Sequence, residues 1–471
     1  MASKLPSHHL SAPTSSWVAV GIGYVLMLAI TVVGFLLVQS YGETLTARTS
    51  QAVEAVGPPR EAGDIFLRVL IALAAIVIAG QILGRLFVLV SQPPVIGEVI
   101  AGILLGPSFL GAEYSAYLLP AEVAPYLSVI AQLGVVLYMF LVGLELNPAL
   151  LKQRAHAAVA ISHASILFPF LLGATLALYF YPRLADASVP FTSFALFLGV
   201  AMSITAFPVL ARILTDYGMS RTRLGTLAVS CAAIDDVTAW CLLAFVVGVA
   251  RAQAGTGMVV AASAAAFIAF MLLVGRPLLE WAALWWEIRH RAQGPSTGPA
   301  SLIFIALLLS ASTAEAIGIH AIFGAFLLGA VIPHDSAAAR VLTGQLEDLV
   351  RILLLPAFFA LTGMRTRIDL LVEPGQWALC GLVIFTATAG KFGGTLLAAR
   401  LVGLGWRDAA ILGTLMNTRG LMELIVLNVG LDLGVISPAL FAMMVLMALA
   451  TTMLTAPVVK LLYRAEAGAE L

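Results

Sequence analysis

Apolar residues in this chain come in long unbroken runs, with no alternation of apolar and polar positions. A run of about 20 apolar residues is enough for a helix to cross a hydrocarbon core, whereas membrane β-strands would alternate every second residue. The runs predict an all-α polytopic membrane protein of about 14 spans, from residues 17–38 to 437–463. Two predicted segments, 95–110 and 319–333, are short and glycine-rich and read as tilted spans buried within protein. The first run, Trp17 to Val38, exceeds the apolar core of a cleaved signal peptide and is read as a retained helix.

The pattern repeats itself after about 220 residues, as expected of transporters built from two copies of one unit. Leu141-Val142-Gly143-Leu144 lines up with Leu361-Thr362-Gly363-Met364, and Gly173-Ala174-Thr175-Leu176 with Gly393-Gly394-Thr395-Leu396. The predicted organisation is an N-terminal tail, extra helix and external loop at 1–63, a first six-helix unit at 64–250, a linker helix and cytoplasmic loop at 251–299, and a second six-helix unit with a short tail at 300–471. An odd helix between two even units makes the repeat inverted, with a site near the bilayer midplane where the units meet.

Composition agrees, since 61% of residues are hydrophobic and 11% charged, against roughly 25% charged in soluble domains. Formal net charge is zero, which offers no basic field to a nucleic acid. Cys231, Cys241 and Cys380 all fall in apolar runs and read as packing residues. Lysine and arginine in the loops concentrate on the side of the termini, so the positive-inside rule makes both termini cytoplasmic. Lys391 and Arg419 are left within the membrane.

Charge inside the apolar runs marks the chemistry. Asp235 and Asp236 sit mid-run in Leu227 to Ala250, where each ionised side chain costs about 2.5–3.5 kcal/mol on insertion scales. Such a pair reads as a cation or proton site. Burial penalises the charge of a lone carboxylate, a neighbouring carboxylate adds to that penalty, and an ammonium relieves it. Lys391, mid-run in the second unit, can therefore pair with one aspartate and leave the other for a monovalent cation or a proton, whose competition for one carboxylate would produce exchange. In the span 192–214, Pro208 cannot donate to the helix ladder. Carbonyls freed near Ile204 and Thr205, with the Ser203 and Thr205 hydroxyls, are candidate cation ligands. The matching stretch Met416-Asn417-Thr418-Arg419-Gly420 breaks the second unit, with Arg419 and Glu423 spaced to pair with each other. Glu98 and Glu315 are further acids that line an ion pathway or cap a helix, and His163 and His320 read as packing or interfacial residues. No phosphate loop, nucleophile elbow or metalloprotease motif is present, so neither an enzyme activity nor a cofactor is expected.

These motifs resemble the monovalent cation:proton antiporter-2 family of the sodium/hydrogen exchanger superfamily. Gln92-Pro93-Pro94-Val95-Ile96-Gly97-Glu98 through Gly106-Pro107-Ser108 is similar to its first-unit signature, and Ala233-Ile234-Asp235-Asp236 to its ion-site motif. Met416 to Asn428 is similar to the plant cation/proton exchanger subgroup. The resemblance covers about residues 64–463. It implies a homodimer in the bacterial inner or plasma membrane that exchanges Na+, K+ or Li+ for protons by elevator-like movement of a core. It further implies that Asp236 carries the ion and proton, that Asp235 pairs with Lys391, and that broken helices cross at Thr205 and Arg419. Plant-type members often have Asn where Asp235 stands, so the pair here is more like that of electrogenic bacterial exchangers. Few residues follow Lys460, and gating by a nucleotide-binding domain is not expected. The alternatives are a proton-independent K+ channel or an organic-solute symporter of related architecture, and an acidic midplane pair argues against an anionic substrate.

Overall fold

The computed structural model describes residues 17–46, 62–120, 122–145, 155–219, 222–251, 257–281, 297–333 and 336–467. Its elements in chain order are α1 (Trp17–Gly42), α2 (Ala62–Leu89), α3 (Pro94–Leu105), the short α4 (Pro107–Leu110) and α5 (Ala112–Leu118), α6 (Ala124–Glu145), α7 (Ala155–Leu184), α8 (Phe191–Ser203), α9 (Phe207–Asp216), α10 (Arg223–Arg251) and α11 (Gly257–Phe270). The second half holds α12 (Thr297–Ile317), α13 (Ala321–Val331), α14 (Ala337–Leu349), α15 (Leu355–Arg365), α16 (Pro374–Leu401), α17 (Trp406–Met416), α18 (Leu421–Asp432) and α19 (Pro438–Ala467).

Among the described residues, nine helical segments are long and apolar enough to cross a membrane, or ten if the pair α17–α18, bent by 45°, is one span. Three more apolar helices are shorter, at Pro94–Leu105, Ser301–Ile317 and Ala321–Val331. The apolar runs are therefore not all full-length spans. The predicted segment 95–110 ends as α3 at Leu105, because Gly106 is extended and Pro107 starts a new turn. The predicted segment 345–363 is interrupted by a π-turn at Val350–Leu354, with Pro356 in the first turn of α15. A π-turn widens the helix and offsets its hydrogen bonds, which a count of apolar residues cannot register.

Helices α7 to α10 and α16 to α19 pack on one another, and α2, α3, α6 and α12 to α15 form a second group. Within the second group α3 lies on α15 and α13 on α6, each short helix against the third predicted span of the other half. Glycines allow these crossings. A Cβ at Gly363 would lie 2.8 Å from Gly102 Cα, and one at Gly143 would lie 2.9 Å from Gly329 Cα. In the first group Gly390 and Gly394 of α16 bring it against Pro169 and Ala164 of α7, so the helix carrying Lys391 runs through the middle of that group. The extra helix α1 packs on α7 and α8, with Tyr24 edge-on to His163 at 5.3 Å. Its other face leaves Ile22, Val25 and Leu26 exposed, as suits a helix facing lipid.

Candidate functional site: a buried carboxylate pair at two crossing chain breaks

Both broken helices fail for local reasons. Helix α8 stops at Ser203, residues 204–206 run extended, and α9 begins at Phe207 with Pro208 in its first turn, where a missing N–H costs nothing. Helix α17 stops at Met416 and α18 begins at Leu421. The breaks cross and bond to each other. Ala206 N donates to Thr418 O at 2.9 Å, and the Thr205 hydroxyl lies 3.1 Å from Met416 O.

A helix that ends inside a protein leaves its last carbonyls without partners and presents the negative end of its dipole. At the end of α8 two cations take these carbonyls. Arg419 donates to Ala201 O at 3.2 Å and to Met202 O at 2.7 Å, and the Lys391 ammonium donates to Ser203 O. Basic side chains thus occupy the carbonyls of Ala201, Met202 and Ser203 at the end of α8, which stops five residues before Pro208. The Ser203 hydroxyl is turned to Gly199 O at 2.7 Å and Ile166 O at 2.9 Å.

Asp235 and Asp236, mid-helix on α10, differ sharply in their surroundings. Asp235 is fully buried and every neighbour donates to it. Ser162 reaches Oδ1 at 2.5 Å, while Ser165, Thr205 and Lys391 reach Oδ2 at 2.8, 2.7 and 3.0 Å. Asp236 is 5% exposed, and its Oδ1 has no hydrogen-bond partner among the described residues. Buried polar atoms are nearly always paired, and a charged one left alone costs several kcal/mol. An empty acceptor of this kind is a place for a proton or a cation. Asn417 Oδ1 and Glu423 Oε2, at and beside the second break, are likewise buried without a partner.

Arg419 and Glu423 are both fully buried and pair at 3.1 Å. Thr452 of α19 grips the Arg419 backbone from both sides, accepting from its N–H at 2.9 Å and donating to its carbonyl at 2.6 Å. The remaining sequence candidates lie elsewhere. Glu98 sits half-buried on α3 against Gly80 and Gly84 of α2, in the other helix group. Glu315 caps α13 by accepting from Ala321 N at 2.8 Å. His163 packs on Tyr24 and bonds Val159 O. Among the described residues no group of three or more His, Cys, Asp or Glu is disposed to hold a metal.

Sequence reasoning missed Ser162, Ser165 and Thr452. Ser162 and Ser165 are three residues apart and so share a face of α7, but single hydroxyls in apolar helices ordinarily bond their own backbone and carry no signal by themselves.

The match to known proteins extends over this whole arrangement. The family described as "Sodium/hydrogen exchanger, transmembrane" matches residues 69–464. The chain is 45% identical over 411 residues to the Na(+)/H(+) antiporter NhaS4 of Synechocystis, covering 86% of this chain and 99% of that protein. It is 39% identical to cation/H(+) antiporter 20 of Arabidopsis thaliana, over 86% of this chain and 49% of that one. It is 34% identical to K(+)/H(+) antiporter 1 of Saccharomyces cerevisiae, over 80% and 45%. The chain thus spans about half the length of the plant and yeast relatives. In structure it is similar to the sodium proton antiporter MjNhaP1 of Methanocaldococcus jannaschii, with a TM-score of 0.59 at 14% identity over 84% of this chain and 96% of that one. The chain belongs to the transmembrane sodium/hydrogen exchanger family.

Proposed function

We propose that this chain is a secondary antiporter that exchanges Na+, K+ or Li+ for protons, with Asp236 as the carboxylate that binds either occupant. The observation that carries the reading is the contrast within the pair: Asp235 is fully engaged by four donors, whereas Asp236 Oδ1 is buried and has no partner among the described residues. A proton and a cation cannot both occupy that carboxylate, so each displaces the other. The names of the bacterial, plant and yeast relatives agree with this chemistry.

The finer picture has two units, 64–250 and 300–463, as an inverted repeat, each running long, short, long, long, broken, long. The exchanged packing of α3 on α15 and α13 on α6 supports it. The group α7–α10 with α16–α19 then moves as an elevator against the other group within a homodimer in the plasma membrane, both termini cytoplasmic. The test is cation-driven proton movement in proteoliposomes under an imposed pH gradient, with sodium, lithium and potassium tried separately. Wild type should collapse the gradient with at least one of them and Asp236→Asn with none. Unchanged turnover in Asp236→Asn would sink the assignment.

A further inference from the structure

Trp240 stands four residues beyond Asp236 on α10, so the two side chains share a face of that helix. A long side chain on a helix leans back over the turn before its own Cα, which for Trp240 is the turn that carries Asp236. The residue is 3% exposed, and its indole Nε1 finds no partner among the described residues. Its ring stacks on Phe326 of α13, with centroids 6.0 Å apart and planes 28° from parallel. The indole is therefore held across the boundary between the two helix groups, one turn from the carboxylate pair.

A phenylalanine at 240 would stack on Phe326 as well. The N–H is what tryptophan adds, and a buried tryptophan usually finds an acceptor for it, because a buried donor left alone costs free energy. Neighbours on α10 supply none. Thr238 spends its hydroxyl on Ile234 O at 2.9 Å, and Asp235 is engaged by Ser162, Ser165, Thr205 and Lys391. Asp236 Oδ1 is the complementary case, a buried acceptor without a partner among the described residues. A donor and an acceptor on one face that do not bond each other are both satisfied by one oxygen between them. A water there accepts from the indole, donates to the carboxylate and keeps one lone pair. That lone pair suits a cation, which must replace its hydration shell with several oxygens, whereas a proton needs one.

We propose that Trp240 is a positioning residue whose indole N–H holds a water against Asp236, and that the cation binds there with this water among its ligands. The ion is then bound partly hydrated, and the tryptophan sets its affinity without touching it. This rests on the antiport reading above and deepens it.

The test uses the full chain in proteoliposomes, as wild type, as Trp240→Phe, and with benzothienylalanine at 240, whose bicyclic ring keeps the stack with sulfur in place of the N–H. KM and turnover are measured at the alkaline end of the activity range, where protons compete least, for sodium, lithium and potassium separately. Both substitutions are expected to raise KM for the transported cation about fivefold, the equivalent of ~1 kcal/mol for one lost hydrogen bond, with turnover within about twofold. A wild-type KM with benzothienylalanine overturns the inference whatever Trp240→Phe does, because the ring alone then suffices. A second measurement keeps Trp240 in place: the other tryptophans are exchanged for phenylalanine and the remaining indole N–H signal is followed by NMR in micelles. The transported cation should move that signal, and should leave it unmoved when Asp236→Asn is added. A signal that ignores the cation overturns the inference and leaves antiport standing, whereas no cation-driven proton movement in wild type removes both.

Discussion

The ion pair between Asp235 and Lys391 lies where neither partner tolerates loss of the other. Removing one member of a buried pair typically costs about 3–5 kcal/mol, because the survivor keeps its desolvation penalty without its partner. Lys391→Met is expected at the lower end, since three hydroxyls still serve Asp235. Asp235→Asn leaves the ammonium facing neutral oxygens, the Ser203 carbonyl among them, with its carboxylate counter-charge gone, and should cost more. The double variant Asp235→Asn, Lys391→Met should be less destabilised than the sum of the two, measured as thermal unfolding of the protein in detergent micelles. Simple additivity would mean that the two groups are not energetically coupled. The same reasoning explains why Arg419 needs Glu423: a guanidinium at 0% exposure is supported by the end of α8 and by that one carboxylate.

Helix crossings set by glycine are the device that places these residues. At the α6–α13 crossing, a Cβ on Gly329 would lie 2.9 Å from both Gly143 Cα and Leu144 N, and backbone cannot rotate aside as a side chain can. Gly329→Ala should therefore destabilise by about 1–3 kcal/mol, the usual cost of overpacking, whereas Gly344→Ala, with nothing within 4 Å of the new Cβ, should be neutral in the same melting assay. Equal melting of the two variants would refute the close packing of this crossing. At this scale the sequence was informative where chemistry and pattern conflict. Asp235, Asp236, Lys391, Arg419 and Glu423 stood out because charge in an apolar run is expensive, and Pro208 because it cannot sit in a helix interior without a break. The α8 carbonyls that receive Lys391 and Arg419 were not legible, since where a helix stops upstream of a proline depends on what satisfies its last turn. The π-turn before α15 and the serine face of α7 were hidden for a similar reason: both are choices among hydrogen-bond partners that the apolar pattern leaves open.

Between the two helix groups the contacts are mostly apolar, as where Val95, Ile96 and Val99 of α3 face Leu424, Ala448 and Leu449 across a small gap. One polar link stands out. Arg365, at the end of α15, donates to Asn428 Oδ1 at 3.1 Å and Asp432 Oδ1 at 2.7 Å on α18, and Asn428 donates to the Thr362 hydroxyl at 2.7 Å. The neighbouring cluster of Arg367, Asp369 and Ser108 joins α4 to the turn after α15. There the Arg367 guanidinium holds the Asp369 carboxyl at about 2, so its contribution is constant above the ordinary carboxylate range and is lost only as pH falls towards 2. It therefore supplies no pH response near neutrality. The Arg365 link is different in kind, because any sliding of α18 past α15 must break it. With the partners 28% and 42% exposed, the ion pair is worth about 0–1 kcal/mol, enough to bias two states up to about fivefold and too little to lock them. Arg365→Ala is thus expected to preserve folding and coupling, to relax the bias towards the linked state, and to raise turnover by up to about fivefold if leaving that state limits the cycle. It should also change the ratio of cation KM values measured from the two sides of the membrane, because a shift in state populations changes which side the site is offered to. A variant with wild-type turnover and an unchanged KM ratio would mean that the Arg365 link persists throughout transport, and that the moving boundary does not run between α15 and α18.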